Sequence, residues 1–359
     1  MLVSACLDDG LLPWLEAPLA QALHGTRGHA LLLHGMQGVG QFELALAVAA
    51  AWLCEGDDPV ARPGGRACLS CSACRLIAAR THPDLMVLIP EALQEALGWS
   101  GGDEATDGEG GKGKAKPSRE IKVEAVRAAV AFAQQTSSRG GAKVTVIYPA
   151  ERMNPASANT LLKTLEEPPG RARFVLASAA PQRLLPTVRS RCQTLRLPLP
   201  APDVAAAWLA TRQIAQPEVL LAAAGGQPLE AQARLALGVD SAAWLRLPRE
   251  VLAGQATTLA AWPLPIAIDA LQKLCHDLLA VAVDALPRYF PADGLPAGGD
   301  LARLTDCAAD LRRAARHAEH PWNAGLGAEA LVLRVRGAVR GGNEGDAQHP
   351  RGPSLATLK

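Results

Sequence analysis

Ahead of Leu197 the chain alternates short apolar runs with longer stretches whose apolar residues recur every three or four positions. Ala30–His34 (ALLLH), Asp84–Ile89 (DLMVLI), Ala142–Tyr148 (AKVTVIY), Arg173–Ser178 (RFVLAS) and Gln193–Leu197 read as strands. Between them, Gln41 to about Cys54 is a long Ala/Leu helix. Ile121–Gln135 carries Val123, Val126, Val130, Phe132 and Ala133 at helical spacing. Asn154–Glu167 is a third helix, stopped by Pro168 and Pro169. Strands alternating with helices in this way predict a parallel sheet covered on both faces.

The Pro-rich stretch Leu197–Pro202 (LPLPAP) marks a boundary, and the pattern beyond it is helix after helix. Asp203–Thr211, Glu218–Ala224 and Leu229–Leu237 are short, and segments near 241–253, 265–285, 300–319 and 327–340 are longer. Residues 98–118 are Gly-rich and charged with almost nothing to bury, and are read as a disordered surface loop. The polar tail from Gly341 is expected to fray.

Composition narrows the class. The 359 residues are 49% hydrophobic, enough for a sizeable core in two or three domains. With 36 basic and 35 acidic residues the formal charge is +1, which excludes a strongly basic nucleic-acid coat but not a local patch. The start, MLVSACLDDG, has no basic region and carries Asp8 and Asp9, so it is no secretory signal. No uncharged apolar run reaches the ~18 residues that span a bilayer. A soluble, cytoplasmic protein is expected, and its 8 Cys are then reduced or metal-bound rather than disulfide-bonded.

Strand Ala30–His34, then Gly35-x4-Gly40 with Gly38 inside it, then a helix is the geometry of a phosphate loop, whose N–H groups and helix N-terminus cradle phosphate. A working loop continues with Lys and Ser/Thr, where this chain has Gln41 and Phe42. Gln brings no charge to the β- and γ-phosphates, and Phe cannot ligate Mg²⁺. The missing charge-assisted hydrogen bond alone is worth about 1.5–3 kcal/mol. The second nucleotide motif needs an Asp closing a buried strand. After Val144–Ile147 come Tyr148 and Pro149 instead, with Glu151 a weak substitute further on. Two independent failures point to a relic of a nucleotide fold, with Gly35, Gly38 and Gly40 holding no nucleotide.

Cys54, Cys68, Cys71 and Cys74 form C-x13-C-x2-C-x2-C. Four closely spaced thiolates suit a closed tetrahedral Zn²⁺ site, structural because no position is left open. An iron–sulfur cluster is the alternative, although the ferredoxin spacing differs. Four reduced thiols on a loop would be the plain outcome. His82 reads as a turn residue before Pro83. Cys6, Cys192, Cys275 and Cys307 read as small apolar fillers.

Taken together, Cys68-x2-Cys71-x2-Cys74, Thr81-His82-Pro83-Asp84, the run Asn159–Pro169 (NTLLKTLEEPP) and Ser190-Arg191-Cys192 resemble the subunits of the bacterial DNA polymerase III clamp loader, an AAA+ family. The altered nucleotide motifs resemble its non-hydrolysing kind of subunit rather than the ATP-hydrolysing gamma/tau. The resemblance covers about residues 1–240 by motif and the rest by layout. It implies an AAA+ α/β domain over 1–198 that includes the cysteine module (54–74), a small helical lid over 199–240, an all-α collar domain over 241–342 and a flexible tail over 343–359. It also implies a pentameric ring with gamma/tau and delta subunits, which uses ATP bound by gamma/tau to load the sliding clamp onto primer-template DNA. By the same resemblance Arg191 is an arginine finger, given in trans to a neighbour's ATP site. A permanently charged, forked guanidinium suits charge on a transferring phosphoryl group, and such arginines are worth about 10³–10⁵ in rate in well-studied GTPases. Arg189 is the neighbouring alternative. Lys163, Glu166 and Glu167 could bridge to a partner or be solvated. Ser178 stands where a polar phosphate sensor would, with little to sense.

Two other functions compete: an active P-loop ATPase with an atypical loop, and a zinc-bearing nucleic-acid binder. The second is weakened by the few basic residues around the cysteines, Arg62, Arg66 and Arg75.

Overall fold

The computed structural model describes residues 10–99, 117–296, 299–318 and 324–340. Most of the 98–118 segment and the whole 343–359 tail lie outside the described residues. The chain forms two compact units, one of residues 1–208 with 227–230 and the other of residues 209–226 with 231–359.

The first unit is built on five parallel strands: β1 (Ala30–His34), β2 (Leu85–Leu88), β3 (Lys143–Ile147), β4 (Ala172–Ser178) and β5 (Gln193–Arg196). Every neighbouring pair is parallel, as the alternating pattern predicts, and their order in the sheet is β2-β3-β4-β1-β5. Strands β3, β4 and β1 are covered on both faces and are almost wholly buried, which is why they read as continuous apolar runs. The edge strand β5 exposes Gln193, Thr194 and Arg196 and buries Leu195. Register places Leu32 between Leu176 and Thr194, so β1 lies between two strands that follow it by more than a hundred residues.

Helices α1 (Glu16–Gly25), α2 (Gln41–Leu53), α3 (Ser72–Ala78), α4 (Val123–Gln134) and α5 (Pro155–Glu166) surround the sheet. Only Ala47 and Trp52 of α2 escape full burial, so α2 has no polar face to present. On the other side, Val126, Ala129, Leu161 and Leu165 pack with Leu32, Phe174 and Leu176 into one core. The flanks of the 98–118 segment are tied down: the Ser118 carbonyl accepts from Ala92 N–H at 3.0 Å, and Trp99 N–H donates to Gln94 O at 2.7 Å.

Beyond β5 the described residues are helical: α6 (Pro202–Thr211), α7 (Pro217–Ala223), α8 (Pro228–Ala236), α9 (Ser241–Ala253), α10 (Leu264–Ala282), α11 (Leu301–Arg316) and α12 (Ala324–Arg340), besides single turns. The core of the second unit centres on Trp244. Its ring stacks on Phe290 at 4.6 Å and on Trp262 at 6.4 Å, and its indole N–H donates to Tyr289 O at 3.0 Å. The buried Asp277 carboxylate accepts the N–H groups of Arg288, Tyr289 and Phe290 at 2.9, 2.7 and 2.8 Å, which fixes the loop carrying Phe290. Cys275 and Cys307 are buried in this core, and Cys192 in that of the first unit.

Candidate functional site

The glycine turn sits at the carboxyl end of β1, beside β4, where ligands gather in parallel α/β sheets. Gly35 N–H donates to Ser178 O at 3.3 Å, and Leu197 N–H donates to His34 O at 2.7 Å. Each glycine has a protein reason to be one. A Cβ on Gly35 would stand 2.7 Å from Leu197 O. Gly38 has φ +74° and its Cβ would stand 2.9 Å from Glu230 N. Gly40 has φ +105° and its Cβ would stand 2.9 Å from a methyl of Leu15. The turn's carbonyls are also taken: Gly38 O accepts from Leu229 N–H at 3.2 Å, and Val39 O accepts the Trp14 indole N–H at 2.7 Å.

Gln41 and Phe42 complete the refitting. The Gln41 amide, 2% exposed, folds back and donates to Gly35 O at 2.9 Å and Met36 O at 2.6 Å. It therefore closes the turn on itself. Phe42 packs against Tyr148 with ring centroids 5.0 Å apart and meets the edge of Trp99 at 6.1 Å. The two positions that would share Mg²⁺ in an active site thus hold an aromatic contact. Burial pushes the Tyr148 phenol well up, with the carboxyls of Glu43 and Glu151 adding to it. Glu151 Oε1 accepts Ala179 N–H at 3.1 Å while its Oε2 is buried with no hydrogen-bond partner, and the Ser178 hydroxyl accepts Ala180 N–H at 3.1 Å. The cleft left above the turn is about 140 Å³, against ~300 Å³ at the small end of organic-ligand pockets.

The cysteine cluster is brought together. The four sulfurs lie within 4.8 Å of one another, with Cys54–Cys71 at 3.9 Å and Cys68–Cys74 at 4.0 Å. A tetrahedron with Zn–S bonds of ~2.3 Å has edges of roughly 3.8 Å, so this donor set can hold a metal ion. Cys54 caps the C-terminus of α2, Cys71 caps the N-terminus of α3 and Cys74 lies in its first turn. N–H groups point at three of the sulfurs: Cys68 N–H at Cys54 Sγ (3.3 Å), Cys71 N–H at Cys68 Sγ (3.3 Å) and Cys74 N–H at Cys71 Sγ (3.4 Å). The backbone N–H groups of Ser70 and then Cys71 bring the Cys68 thiol down to about 5. Burial opposes ionisation of Cys71, yet the backbone N–H groups of Cys74 and Glu55 outweigh it and lower the thiol. Arg62 ties the intervening loop by donating to Ala51, Gly56, Gly65 and Arg66 carbonyls at 2.9–3.3 Å.

Asp84 anchors this module. Its carboxylate accepts Ser138 N–H and the Ser137 hydroxyl at 2.9 Å and Arg139 N–H at 3.0 Å, and it pairs with buried Lys143 at 3.1 Å. Arg139 in turn grips Glu55, next to Cys54, at 2.5 and 2.7 Å. That guanidinium, mainly, holds Glu55 down at about 2. His82 accepts Asp84 N–H at 3.1 Å and takes no place among the sulfurs, as expected of a turn residue.

Arg191 follows the single turn Pro186–Arg189, between buried Val188 and Cys192. Its side chain is 32% exposed and forms an ion pair with Glu166 at the end of α5. Nη1 donates to Thr187 O at 2.8 Å, while Nε is buried with no hydrogen-bond partner. The runs Asn159–Pro169 and Ser190–Cys192 thus meet through Glu166, which was expected to bridge to a partner or be solvated and instead pairs within the chain. Arg189 is exposed, and with Arg196 it lowers the neighbouring His34, after burial.

A family model described as DNA polymerase III, delta subunit, matches residues 16–201. The chain is 40% identical over 228 residues to the DNA polymerase III subunit delta-prime of Pseudomonas aeruginosa, covering 62% of this chain and 60% of that one. Against the delta-prime subunit of Escherichia coli it is 32% identical over 283 residues, covering 73% and 76%.

The chain belongs to the DNA polymerase III delta-prime family.

The chain spans 60% of the length of the Pseudomonas relative. The tau subunit of Escherichia coli is 33% identical over 180 residues, half of this chain and 23% of tau. No helix among the described residues is long and apolar enough to cross a membrane. Sequence reasoning missed four participants: Trp14, Trp99, Leu229 and Glu230. All of them lie far along the chain from the turn they enclose, so only the hydrophobicity of the first three hinted at burial.

Proposed function

We propose that this chain is a non-catalytic subunit of the cytoplasmic clamp loader, working in a pentameric ring with gamma/tau and delta to place the sliding clamp on primer-template DNA. It binds no ATP of its own. It offers Arg191 in trans to the ATP site of a neighbouring gamma/tau subunit. The observation that carries this reading is the refitted turn: Gln41 spends its amide on Gly35 and Met36, and Phe42 packs on Tyr148 where a metal would sit. Arg191 suits the role because its guanidinium is permanently charged and held by one surface carboxylate, Glu166, that phosphate oxygens can replace. The helices after residue 198 would then divide into the lid (199–240) and collar (241–342).

Cys54, Cys68, Cys71 and Cys74 would hold Zn²⁺, which supplies a cross-link between the end of α2 and the start of α3. The chain's own part is to present thiolates, with N–H groups of Cys68, Cys71 and Cys74 directed at three sulfurs.

Titration of the purified chain with a fluorescent ATP analogue and Mg²⁺ tests the reading. No saturable binding and no turnover are expected. Tight binding with Mg²⁺-dependent hydrolysis would restore the competing reading, an active ATPase with an atypical loop.

A further inference from the structure

The cleft over the glycine turn has the wrong charge for phosphate. Its walls include Phe42, Glu43, Leu97, Tyr148, Leu229 and Glu230, and among the described residues no Lys or Arg lines it. Glu43, in the first turn of α2, is 8% exposed, and among the described residues its carboxyl has no partner on another residue. Burial without a partner pushes it up to about 7. A buried carboxyl in that condition is costly and is relieved by a cation. The partial charge at the N-terminus of α2, about +0.5, is smaller than that of one carboxylate.

The walls also select the kind of cation. Phe42 and Tyr148, tilted 31° with centroids 5.0 Å apart, border the space, and aromatic faces attract ammonium and guanidinium groups. Leu97 and Leu229 offer apolar surface to an alkyl stem. At about 140 Å³ the cleft exceeds the ~30 Å³ share of a single water several times over, yet it is too small for a nucleotide. A bare divalent ion would want about six oxygens, and two carboxylates do not provide them.

We propose that this cleft binds an organic cation, an alkylammonium or alkylguanidinium group, with its charged head at Glu43 and its stem against Phe42, Leu97 and Leu229. A site inherited from polyphosphate binding has thereby reversed its charge preference.

The test is titration of the full chain, in an amine-free buffer, with cadaverine, agmatine and Nα-acetyl-lysine methylamide, followed by amide NMR shifts. The neutral control is n-pentanol. Saturable binding of the cations is expected, with shifts centred on Gly38 and Gly40 and at least tenfold weaker binding of n-pentanol. Glu43→Gln should weaken cation binding at least tenfold at a melting temperature no lower than that of wild type, and Glu230→Gln is the second variant should the first fail to fold. A preference for the capped lysine would assign the site to a protein side chain, and a preference for cadaverine to a free amine; either supports the proposal. Equal binding of n-pentanol, unchanged affinity in a folded variant, shifts centred elsewhere or no saturation would overturn it.

Discussion

The glycine turn and the cysteine cluster occupy the two ends of one helix: Gly40 caps the N-terminus of α2 and Cys54 its C-terminus. At the C-terminal end both spacing and side-chain chemistry persist, and the sulfurs converge. At the N-terminal end only the spacing persists. The difference lies in what each motif asks of the chain. The cysteines act through their side chains alone, so a cluster without thiolates would have nothing left to do. The glycines act through the backbone, and the backbone has found other uses: Leu197, Glu230 and Leu15 press on the three places where a Cβ would stand. On the proposed reading, a phosphate loop has lost its phosphate chemistry and kept its glycines.

Breaking the cysteine end should have the largest effect. Cys71→Ser removes one of the four proposed ligands while leaving a hydroxyl that can still cap α3, and should abolish stoichiometric zinc in the purified chain. Structural zinc contributes an apparent 10–16 kcal/mol in small peptides, and a loss of several kcal/mol is expected here because metal binding is linked to folding. Metal analysis with denaturant melts checks it; unchanged stability after metal removal would contradict it.

At the other end of the helix the expected effect is smaller and depends on pH. Glu43 sits at about 7 in the folded chain against an ordinary 4.5. Between those values the native state keeps a proton that the unfolded chain releases, so stability falls as pH rises through that window. At 1.36 kcal/mol per unit the loss is about 3 kcal/mol. In an amine-free buffer Glu43→Gln should match wild type near pH 4.5 and exceed it by up to about 3 kcal/mol above pH 7. Parallel stability profiles would show that the carboxyl is satisfied by other means.

The mildest contrast isolates the packing role of the turn. Gly38 and Gly140 have φ of +74° and +75°, but a Cβ on Gly38 meets Glu230 whereas one on Gly140 meets nothing within 4 Å. Gly140→Ala should cost about 1–2 kcal/mol from backbone strain alone, and Gly38→Ala roughly 1–3 kcal/mol more from overpacking. Equal losses would mean that residues 229–230 yield freely.

Most of the sheet was legible in the sequence because buried parallel strands are continuous apolar runs, and β1, β3 and β4 are of that kind. Helix α1 was not assigned. Pro18 reads as a break, yet it falls in the first turn, where its missing N–H costs nothing. Helix α3 was hidden because its cap is a thiol: Cys71 Sγ accepts Cys74 N–H, a task ordinarily given to Ser or Asp. The members of the cysteine cluster could be named from spacing alone. The closure of the glycine turn could not, since Trp14, Leu229 and Glu230 come to it through the fold, and nothing local links Glu166 to Arg191 across the intervening strand β4.

The central claim is that this chain completes a neighbour's active site and has none of its own. ATP hydrolysis by a loader reconstituted with clamp and primed DNA tests it most directly, comparing wild type with Arg191→Ala. The account predicts a fall of at least tenfold with the ring still assembled. An unchanged rate in an intact ring would contradict it and leave this subunit a scaffold.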